Sequence, residues 1–445
     1  MAGKKTQAQL TPEEKLQQAL VPEAEQPYKV PANWCWTYLK NVSDCLDNFR
    51  KPINANERNA RLGDVPYYGA TGQVGWIDDY LTNEELVLLG EDGAPFLDLL
   101  KNKAYLINGK AWVNNHAHIL RSKFGTMGNR LLIEYLNSFD FTGFVTGTTR
   151  LKLTQASMNK IIIPLVPLAE QQRIVERIES LFAKLDEAKE NMQNVLEGFE
   201  TRKAAILHKA FTGELTAKWR KQHGVSMDTW EEKKLGDVTD ILSSKRIYKN
   251  EYVNEGIPFF RSSEIVDLYE YGYTEPKFFI SKDRYDEINK KYGVPEVGDL
   301  LVTSVGTIGK TWIVDERKFY YKDGNIIQVK KNSSINMKYL NYFICSENFK
   351  KQVSDTVAGT AYNALTIIKF KNILISIPTL PEQTEIVRII DGLLAKEQQA
   401  NELSENALAK IDLIKKAILA RAFRGELGTN NPADEPAIEL LKRVL

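Results

Sequence analysis

Cysteine is scarce in this chain, which has only three, Cys35, Cys45 and Cys345, in 445 residues. So few cysteines cannot build a disulfide framework, and their spacing matches no paired zinc-ligand motif. Disulfide-poor chains of this size are typical of a reducing compartment. We therefore expect a cytoplasmic protein.

Long apolar runs and an excess charge of one sign are also missing. No window approaches the roughly 18 consecutive apolar residues of a membrane helix, and the N-terminus lacks the apolar core of a secretory signal. The 59 basic and 58 acidic side chains leave a formal charge of +1. The 43% hydrophobic and 26% charged residues exclude collagen-like or disordered chains. Nucleic-acid binding stays open, because basic patches can be local.

A convincing catalytic motif is absent as well. Residues 304–311 (SVGTIGKT) approach a phosphate-binding P-loop, but Ser304 stands where that motif requires glycine. The pattern favours a glycine-rich hairpin turn, with nucleotide binding as the alternative. The motifs of adenine methyltransferases, an Asn/Asp-Pro-Pro-aromatic tetrapeptide and a glycine-rich cofactor loop, do not occur. We read no nuclease site from acidic pairs such as Glu91-Asp92, which are common surface features.

Two histidines, His116 and His118, would face the same side of a strand and could suit a metal ion. The sequence offers no cysteine or carboxylate as a convincing further ligand. We therefore expect hydrogen-bonded strand histidines and no metal site.

What the sequence does contain is an internal repeat. Residues 161–216 align without a gap to residues 373–428 at a shift of 212, with 24 identical pairs in 56. A shared opening (Trp34, Leu39 and Val42 against Trp230, Leu235 and Val238) aligns at a shift of 196. The second copy is therefore longer by 16 residues (212 minus 196). A repeat of this length indicates a duplicated architecture.

The repeated block predicts a long helix. Apolar residues of the first copy recur in alternating steps of four and three, as in a coiled-coil seam. The second copy keeps the pattern, with Glu397 and Ser404 as interruptions, at Ile386, Ile390, Leu393, Ala400, Ala407, Ile411, Ile414 and Ile418. About 40 residues would form a rod of roughly 60 Å. Gly213 and Gly425 mark the predicted helix ends, and Gly198 a local bend. The two copies are expected to pair with each other, the alternative being that each packs on its own domain. The seam of the first copy comprises Ile174, Ile178, Leu181, Leu185, Ala188, Met192, Val195 and Phe199.

Between the helices, residues 31–166 and 226–378 read as mixed α/β modules. Short strand-like runs such as 86–89, 300–305 and 326–329 alternate with predicted helices at 130–139 and 337–346. The modules share anchors but little of their interiors. A shared frame with a divergent interior suggests two sites of one kind that recognise different targets.

Basic and amide side chains recur beside aromatics and glycines in the predicted loops. Arg, Lys, Asn and Gln can pair with base edges, while Ser and Thr hold phosphates. We therefore predict DNA contacts in both modules. In the first module they are Tyr68, Gly69, Thr71, Lys110, Asn114, Asn115, His116, Arg121, Lys123, Arg130, Thr148 and Arg150. In the second they are Lys245, Arg246, Lys249, Arg261, Ser262, Ser263, Thr303, Ser304, Thr307, Lys310, Asn325, Tyr362 and Asn363.

The repeated helices make the sequence recognisable. Residues 167–186 (PLAEQQRIVERIESLFAKLD) and 379–396 (TLPEQTEIVRIIDGLLAK) are each followed by an A-F-x-G-E-L end. Together with PYYGATGQVGW at 66–76 and GTTRLKLT at 147–154, they resemble the specificity (S) subunits of type I restriction–modification systems. The resemblance extends from about Pro31 to Leu427. The second module departs from it, with Phe260–Glu264 in place of Tyr68–Gly72, so loop geometry should not be copied between modules.

The resemblance implies an α+β fold in which two mixed α/β target recognition domains are separated by two long helices that form an antiparallel coiled coil, as an internal pseudo-two-fold repeat. The implied domains are an N-terminal extension (1–30), target recognition domain 1 (31–166), a central conserved helix (167–217), a linker with target recognition domain 2 (218–378), a distal conserved helix (379–428) and a C-terminal tail (429–445).

The resemblance also implies a function. Each recognition domain would read half of a bipartite DNA site in the major groove, and the paired helices would set the spacing. The chain itself would be non-catalytic and hold no cofactor. Its partners would be double-stranded DNA, two methyltransferase subunits that carry S-adenosylmethionine, and restriction subunits that use Mg²⁺ and ATP. The alternative is a coiled-coil scaffold with ligand- or protein-binding heads.

Overall fold

The computed structural model describes residues 10–357 and 364–445. The contacts of these residues form two compact units, one that contains residues 10–192 and 406–445 and another that contains residues 193–357 and 364–405. Each unit therefore contains one α/β module and one end of each of two long helices. Within the described residues, no helix has the length and apolar character needed to cross a membrane.

The first unit begins with a short capped helix and continues into the first module. Its helices are α1 (Pro12–Ala19), α2 (Leu39–Val42), α3 (Ala55–Ala60), α4 (Gly125–Ser138), α5 (Gln155–Met158) and most of α6 (Leu168–Glu197). Its strands are β1 (Cys35–Tyr38), β2 (Ser43–Cys45), β3 (Val65–Gly69), β4 (Gly72–Ile77), β5 (Thr82–Asn83), β6 (Leu86–Gly90), β7 (Ala104–Ile107), β8 (Lys110–Val113), β9 (Ala117–Ser122), β10 (Val145–Thr146), β11 (Lys152–Leu153) and β12 (Ile162–Leu165).

The second unit repeats this plan with additional helices. Its helices are α7 (Phe199–Phe211), α8 (Ala217–His223), α9 (Leu235–Val238), α10 (Ser262–Tyr271), α11 (Lys282–Tyr292), α12 (Met337–Ile344), α13 (Glu347–Val357), α14 (Ile367–Lys371) and the first part of α15 (Leu380–Phe423). Its strands are β13 (Glu231–Lys234), β14 (Ile241–Leu242), β15 (Tyr252–Val253), β16 (Ile257–Phe260), β17 (Phe279–Ile280), β18 (Leu300–Thr303), β19 (Thr311–Ile313), β20 (Tyr320–Tyr321), β21 (Ile326–Val329) and β22 (Leu374–Ile377). The C-terminal helix α16 (Ala437–Lys442) belongs to the first unit.

Strand pairing confirms the duplication. Each module has two four-stranded sheets, ordered β2-β9-β6-β7 and β4-β3-β8-β5 in the first, and β14-β21-β18-β19 and β15-β17-β16-β20 in the second. A two-stranded ribbon closes each module, with β1 antiparallel to β12 and β13 antiparallel to β22. Cys35 pairs with Leu165, and Glu231 pairs with Ile377. The two registers are related by the same shifts, 196 and 212, as the sequence repeat.

The start of each long helix is held by a buried glutamate. The Trp34 indole Nε1–H donates to Glu170 Oε2 at 2.7 Å, and the Trp230 indole Nε1–H donates to Glu382 Oε2 at 3.1 Å. Both carboxylates are fully buried. A buried carboxylate is costly unless hydrogen-bond donors replace its lost water. In each unit the glutamate of the repeated E-Q pair therefore depends on the tryptophan that opens the module.

The same glutamates bind the segment that follows the other long helix. Glu170 accepts from Thr429 Oγ1 (3.2 Å) and Asn430 Nδ2 (2.8 Å) within the first unit. Glu382 accepts from Thr216 Oγ1 and Arg220 Nη1, both at 2.6 Å, within the second. In each unit, the start of one long helix is therefore hydrogen-bonded to the segment that follows the end of the other long helix.

Within each unit, the two long helices run antiparallel. Asp186 Oδ1 lies 2.6 Å from Lys415 Nζ in the first unit, and Arg202 Nε lies 2.6 Å from Glu397 Oε2 in the second. Thr216, further along, meets the earlier residue Glu382. One residue number falls as the other rises, so the predicted antiparallel pairing is confirmed.

The predicted seam is largely confirmed. All eight positions of the first copy are buried or half-buried. In the second copy, Ser404 is buried on the seam, whereas Ile414 is 44% exposed. The expectation for Ile414 is wrong. The positions that are buried or half-buried there are Ile411, Lys415 and Ile418, and apolar spacing alone does not select a lysine.

The predicted helix ends also hold. Helices α7 and α15 end at Phe211 and Phe423, and each is followed two residues later by a glycine at positive φ, 78° at Gly213 and 74° at Gly425. A left-handed residue favours glycine because other side chains clash there. Gly198 stands between α6 and α7 in right-handed helical backbone, and the Arg202 N–H donates to its carbonyl at 3.0 Å. The local bend at Gly198 stays a prediction.

Candidate nucleic-acid interface

Loops of the first module meet where β3, β6 and β8 end. The Asn114 backbone N–H donates to the Tyr68 carbonyl (3.1 Å), the Glu91 N–H to the His116 carbonyl (2.8 Å), and the Leu153 N–H to the Glu91 carbonyl (2.7 Å). We call residues 68–72, 90–93, 114–116 and 150–153 the first loop cluster. The predicted DNA contacts that it brings together are Tyr68, Gly69, Thr71, Asn114, Asn115, His116 and Arg150, and Thr148 is exposed in the turn that leads into it.

An acidic residue holds the basic side chains of this cluster. Arg150 Nη2 donates to Asp92 Oδ1 at 2.7 Å, and His116 Nδ1 lies 2.7 Å from the same oxygen. The Arg150 side chain is nevertheless 60% exposed, whereas that of Asp92 is 20% exposed. The guanidinium is therefore both fixed and accessible.

Below this surface lies a network of buried charges. His118 Nδ1 contacts Asp47 Oδ2 at 2.6 Å, and His118 Nε2 contacts the Leu153 carbonyl at 2.9 Å. Arg50 pairs with both Asp47 (3.0 Å) and Glu91. Burial acts to lower the pKa of His118, but the hydrogen bond and charge of Asp47, with further hydrogen bonds, outweigh it and raise the pKa to about 9. The imidazolium is thus the resident form at neutral pH.

One of the two histidines has a cysteine and a carboxylate beside it, which the sequence does not reveal. Cys45, Asp47 and His118 place potential ligand atoms within 4.8 Å of one another. The expectation that no cysteine or carboxylate joins the histidines is therefore wrong for His118. Both of its ring nitrogens are engaged in hydrogen bonds, and Arg50 pairs with the same aspartate. We therefore interpret the group as an ion-pair network. His116 has different partners and does not join it.

The remaining predicted contacts of the first module lie elsewhere. Arg130 Nη1 pairs with Glu179 of α6 at 2.9 Å, and Lys123 Nζ donates to the Val444 carbonyl at 3.2 Å. Arg121 lies 3.4 Å from Glu84. The structure thus separates four predicted residues from the first loop cluster: Lys110, Arg121, Lys123 and Arg130.

A corresponding group of loops forms in the second module. The Ser304 N–H donates to the Asn325 carbonyl (2.9 Å), the Ser262 hydroxyl lies 3.4 Å from that carbonyl oxygen, and the Lys322 N–H donates to the Phe260 carbonyl (2.8 Å). We call residues 243–246, 261–263, 303–304 and 322–325 the second loop cluster. It contains the predicted contacts Lys245, Arg246, Arg261, Ser262, Ser263, Thr303, Ser304 and Asn325.

Some predicted side chains of the second module have internal partners. Thr303 is fully buried, and its hydroxyl accepts from the Lys310 N–H at 3.0 Å. Ser304 is also buried, at 2% exposure. Lys310 Nζ turns towards Glu270, 3.1 Å away. Strands β18 and β19 pair as an antiparallel hairpin around this loop. Since a P-loop leads from a strand into a helix, the hairpin reading of residues 304–311 is confirmed.

Four predicted contacts of the second module are left. Lys249 and Thr307 are exposed. Tyr362 and Asn363 lie outside the described residues. All of the predicted DNA contacts remain predictions.

The acidic side chains of the first loop cluster were missed from the sequence. Glu91-Asp92 was read as an ordinary surface pair, yet these carboxylates bind Arg50, Lys152 and Arg150. The available signal was Gly90 and Gly93 on either side of the pair, which indicates a tight turn. The backbones of Asp92 and Lys152 pair in an isolated antiparallel β-bridge, and the corresponding β-bridge of the second module joins Val305 and Ala364. The acid therefore belongs to the first module alone.

Comparison with known proteins identifies the family. The family model described as the type I restriction modification DNA specificity domain matches residues 32–197 and 227–407. A Haemophilus influenzae protein named as a type I restriction enzyme specificity subunit is 30% identical over 373 residues, which cover 83% of this chain and 89% of that protein. This chain belongs to the type I restriction–modification specificity family.

Other members of the family align with this chain over a smaller part of their length. The EcoKI specificity subunit of Escherichia coli is 29% identical over 296 residues, which are 63% of this chain and 61% of that subunit. The EcoBI specificity subunit is 26% identical over 304 residues, with 64% and 62% covered. The matched regions of the family model fall on the two modules and their long helices.

Solved structures agree with this fold. The HsdS subunit from Thermoanaerobacter tengcongensis has a TM-score of 0.63 at 20% identity and covers 91% of this chain and all of that one. A chain from a type I restriction–modification complex has a TM-score of 0.57 at 19% identity and covers 90% of this chain. The specificity-subunit fold implied by the resemblance is therefore confirmed.

Proposed function

We propose that this specificity subunit reads a bipartite DNA sequence, each module recognising one half in the major groove. The observation that carries this is the pair of loop clusters, which occupy corresponding places on duplicated frames but differ in chemistry. In the first, Arg150 and His116 share Asp92. In the second, Arg246 pairs with Asp323 at a different place in the module, and Arg261 lies over the Phe278 ring. Unlike clusters on like frames suit an asymmetric, split target.

We further propose that the paired helices set the spacing between the two halves and dock two methyltransferase subunits. Support comes from two neighbouring apolar side chains that α15 leaves exposed in the first unit, Leu413 (55%) and Ile414 (44%). Exposed apolar residues in a group often mark protein interfaces.

In this proposal the chemistry belongs to the partners. The methyltransferase subunits would carry S-adenosylmethionine, and the restriction subunits would use Mg²⁺ and ATP. An adenine must leave the duplex before it can be methylated, and a subunit that holds DNA at two places suits that task. The chain itself would be a non-catalytic, cytoplasmic recognition subunit.

The test is a map of adenine methylation in a host that expresses this chain together with its neighbouring methyltransferase subunit. The matched control expresses the methyltransferase alone. We expect a split motif that appears only when this chain is present. If no motif appears although the same methyltransferase is active with another specificity subunit, the proposal fails and a scaffold role is favoured.

A further inference from the structure

The Arg150 guanidinium is held in one place by its surroundings. Asp92 Oδ1 accepts from Nη2 at 2.7 Å, and the His116 ring lies on the same carboxylate oxygen. The guanidinium also lies against Gly93, where a Cβ atom would come within 3.3 Å of Arg150 Nε. Gly93 has a φ of 71°. A side chain there would be strained and would crowd the guanidinium, so the glycine keeps that position open.

Fixing an arginine in this way lowers the entropy that it must lose on binding. The side chain is still 60% exposed. Within residues 10–357 and 364–445, Nη1 and Nε of Arg150 have no hydrogen-bond partner, whereas Nη2 lies 2.7 Å from Asp92 Oδ1 and 3.3 Å from His116 Nδ1. Each two-donor edge of a guanidinium combines Nη2 with either Nη1 or Nε. When the His116 Nδ1–H donates to Asp92 Oδ1, 2.7 Å away, one N–H of Nη2 stays free beside an unpartnered nitrogen. Arg150 then keeps one preorganised two-donor edge for a ligand.

Two kinds of DNA group could receive this two-donor edge. A phosphate would lie close to the Asp92 carboxylate, and the two negative charges would repel each other. A guanine edge is neutral and presents the acceptors O6 and N7, which arginine can bind with two parallel hydrogen bonds. A carboxylate behind the guanidinium therefore favours the base over the backbone.

We propose that Arg150 reads a guanine in the half-site of the first module and that Asp92 is its positioning residue. This inference rests on the proposed function. It concerns the first half-site. In the second module the isolated β-bridge that corresponds to Asp92–Lys152 joins Val305 to Ala364, and the acid-held arginine of that module, Arg246 on Asp323, lies at a different place. No acidic positioning residue stands at Val305.

The test combines changes in the protein with changes in single DNA atoms. The half-site of the first module is the half whose sequence changes when residues 31–166 are exchanged. The wild-type subunit in complex with its methyltransferase is bound to duplexes in which each guanine of that half-site is replaced in turn by 7-deazaguanine, which lacks N7. The same series is measured with Arg150→Ala, Arg150→Lys and Asp92→Asn.

We expect the wild type to lose roughly 5- to 150-fold in affinity at one guanine, the range of a good arginine–guanine pair. Arg150→Ala should lose less than about twofold at that position, so that the two changes are not additive. Arg150→Lys should not restore discrimination, because lysine lacks the planar fork. Asp92→Asn should reduce discrimination without weakening binding to non-specific DNA, since it removes a negative charge.

The matched control is Arg443→Ala, which removes an arginine of similar exposure (57%) paired with Glu435 in the same unit. It should retain the full wild-type pattern. A first half-site without guanine, or additive losses at every guanine, would overturn this inference alone. If the wild-type complex has no bipartite site, the proposed function and the inference fall together.

Discussion

Single charged residues in the first module depend on neighbours that are distant in sequence. His118 lies 71 residues from Asp47 and 35 from Leu153, yet it is bonded to both. Its pKa of about 9, against an ordinary value of 6.5, means that the folded chain holds the proton more tightly than the unfolded chain does. A group with a raised pKa stabilises the fold below its unfolded pKa and loses that contribution as the pH rises through the folded pKa.

We therefore predict that the free energy of unfolding falls as the pH rises from about 6.5 to about 9, by up to roughly 3 kcal/mol from this residue. Urea unfolding followed across that window measures the effect. In His118→Gln, which cannot titrate, the decrease should be smaller. His116→Gln is the control and should retain the wild-type dependence. An equal pH dependence in wild type and His118→Gln would contradict the prediction.

Part of the residue-scale picture was predictable. Arg150, Asn114 and His116 were selected from their loops, and the structure brings them together. Asp47 and Asp92 were not selected, because a carboxylate that supports a cation has the same sequence signature as one that faces solvent. Only the pairing of β6 with β9 places the Asp92 turn beside His116.

At the scale of elements, both long helices begin at a buried glutamate that accepts a hydrogen bond from a tryptophan, but only one of the two glutamates also has a cationic partner. Glu170 accepts hydrogen bonds from uncharged groups of Trp34, Thr429 and Asn430. Glu382 also faces Arg220, whose side chain is 9% exposed. Removing one partner of a buried ion pair leaves an uncompensated charge, which costs about 3–5 kcal/mol. Losing the charge of a hydrogen-bonded carboxylate costs about 1.5–3 kcal/mol.

We therefore predict that Glu382→Gln destabilises its unit more than Glu170→Gln destabilises its own. Urea unfolding with hydrogen exchange resolves the two units separately. Adding Arg220→Met to Glu382→Gln should recover part of the loss, because the unpaired charge is removed. Equal losses of unfolding free energy in the two glutamine variants would show that the Glu382–Arg220 ion pair does not stabilise its unit beyond the tryptophan–glutamate hydrogen bond.

The element boundaries were predicted well where local chemistry decides them. The strand at Ile326–Val329 and the helix beginning at Met337 have their predicted starts. Helix α4 begins five residues before the predicted Arg130, at Gly125. Its first turn (GTMGN) has poor helix propensity, and its packing against the sheet through Gly128 and Asn129, both buried, explains the difference.

At the scale of the whole molecule, duplication separates recognition into parts. The frame of each module, with its ribbon and tryptophan–glutamate contact, is common to both copies, while the loop clusters differ. Because the loops that differ lie within one module each, changing one module should leave the other half-site unaffected.

We predict that exchanging residues 31–166 for the corresponding module of another family member changes one half of the methylated motif only. Methylation mapping of the hybrid measures this directly. The reciprocal exchange of residues 226–378 is the matched control and should change the other half. A hybrid in which both halves change, or neither does, while methylation persists, would contradict modular recognition.

The amino-acid sequence alone was enough to predict the duplication, the long helices, their glycine ends and the family, because these depend on local periodicity and on identities repeated at a constant shift. Which loop residues form a cluster, and which carboxylates support them, became clear only from the folded chain. Those contacts join residues such as Asp92 and Arg150, 58 positions apart. Their pairing follows from strand register and turn geometry, which no local pattern of residues encodes.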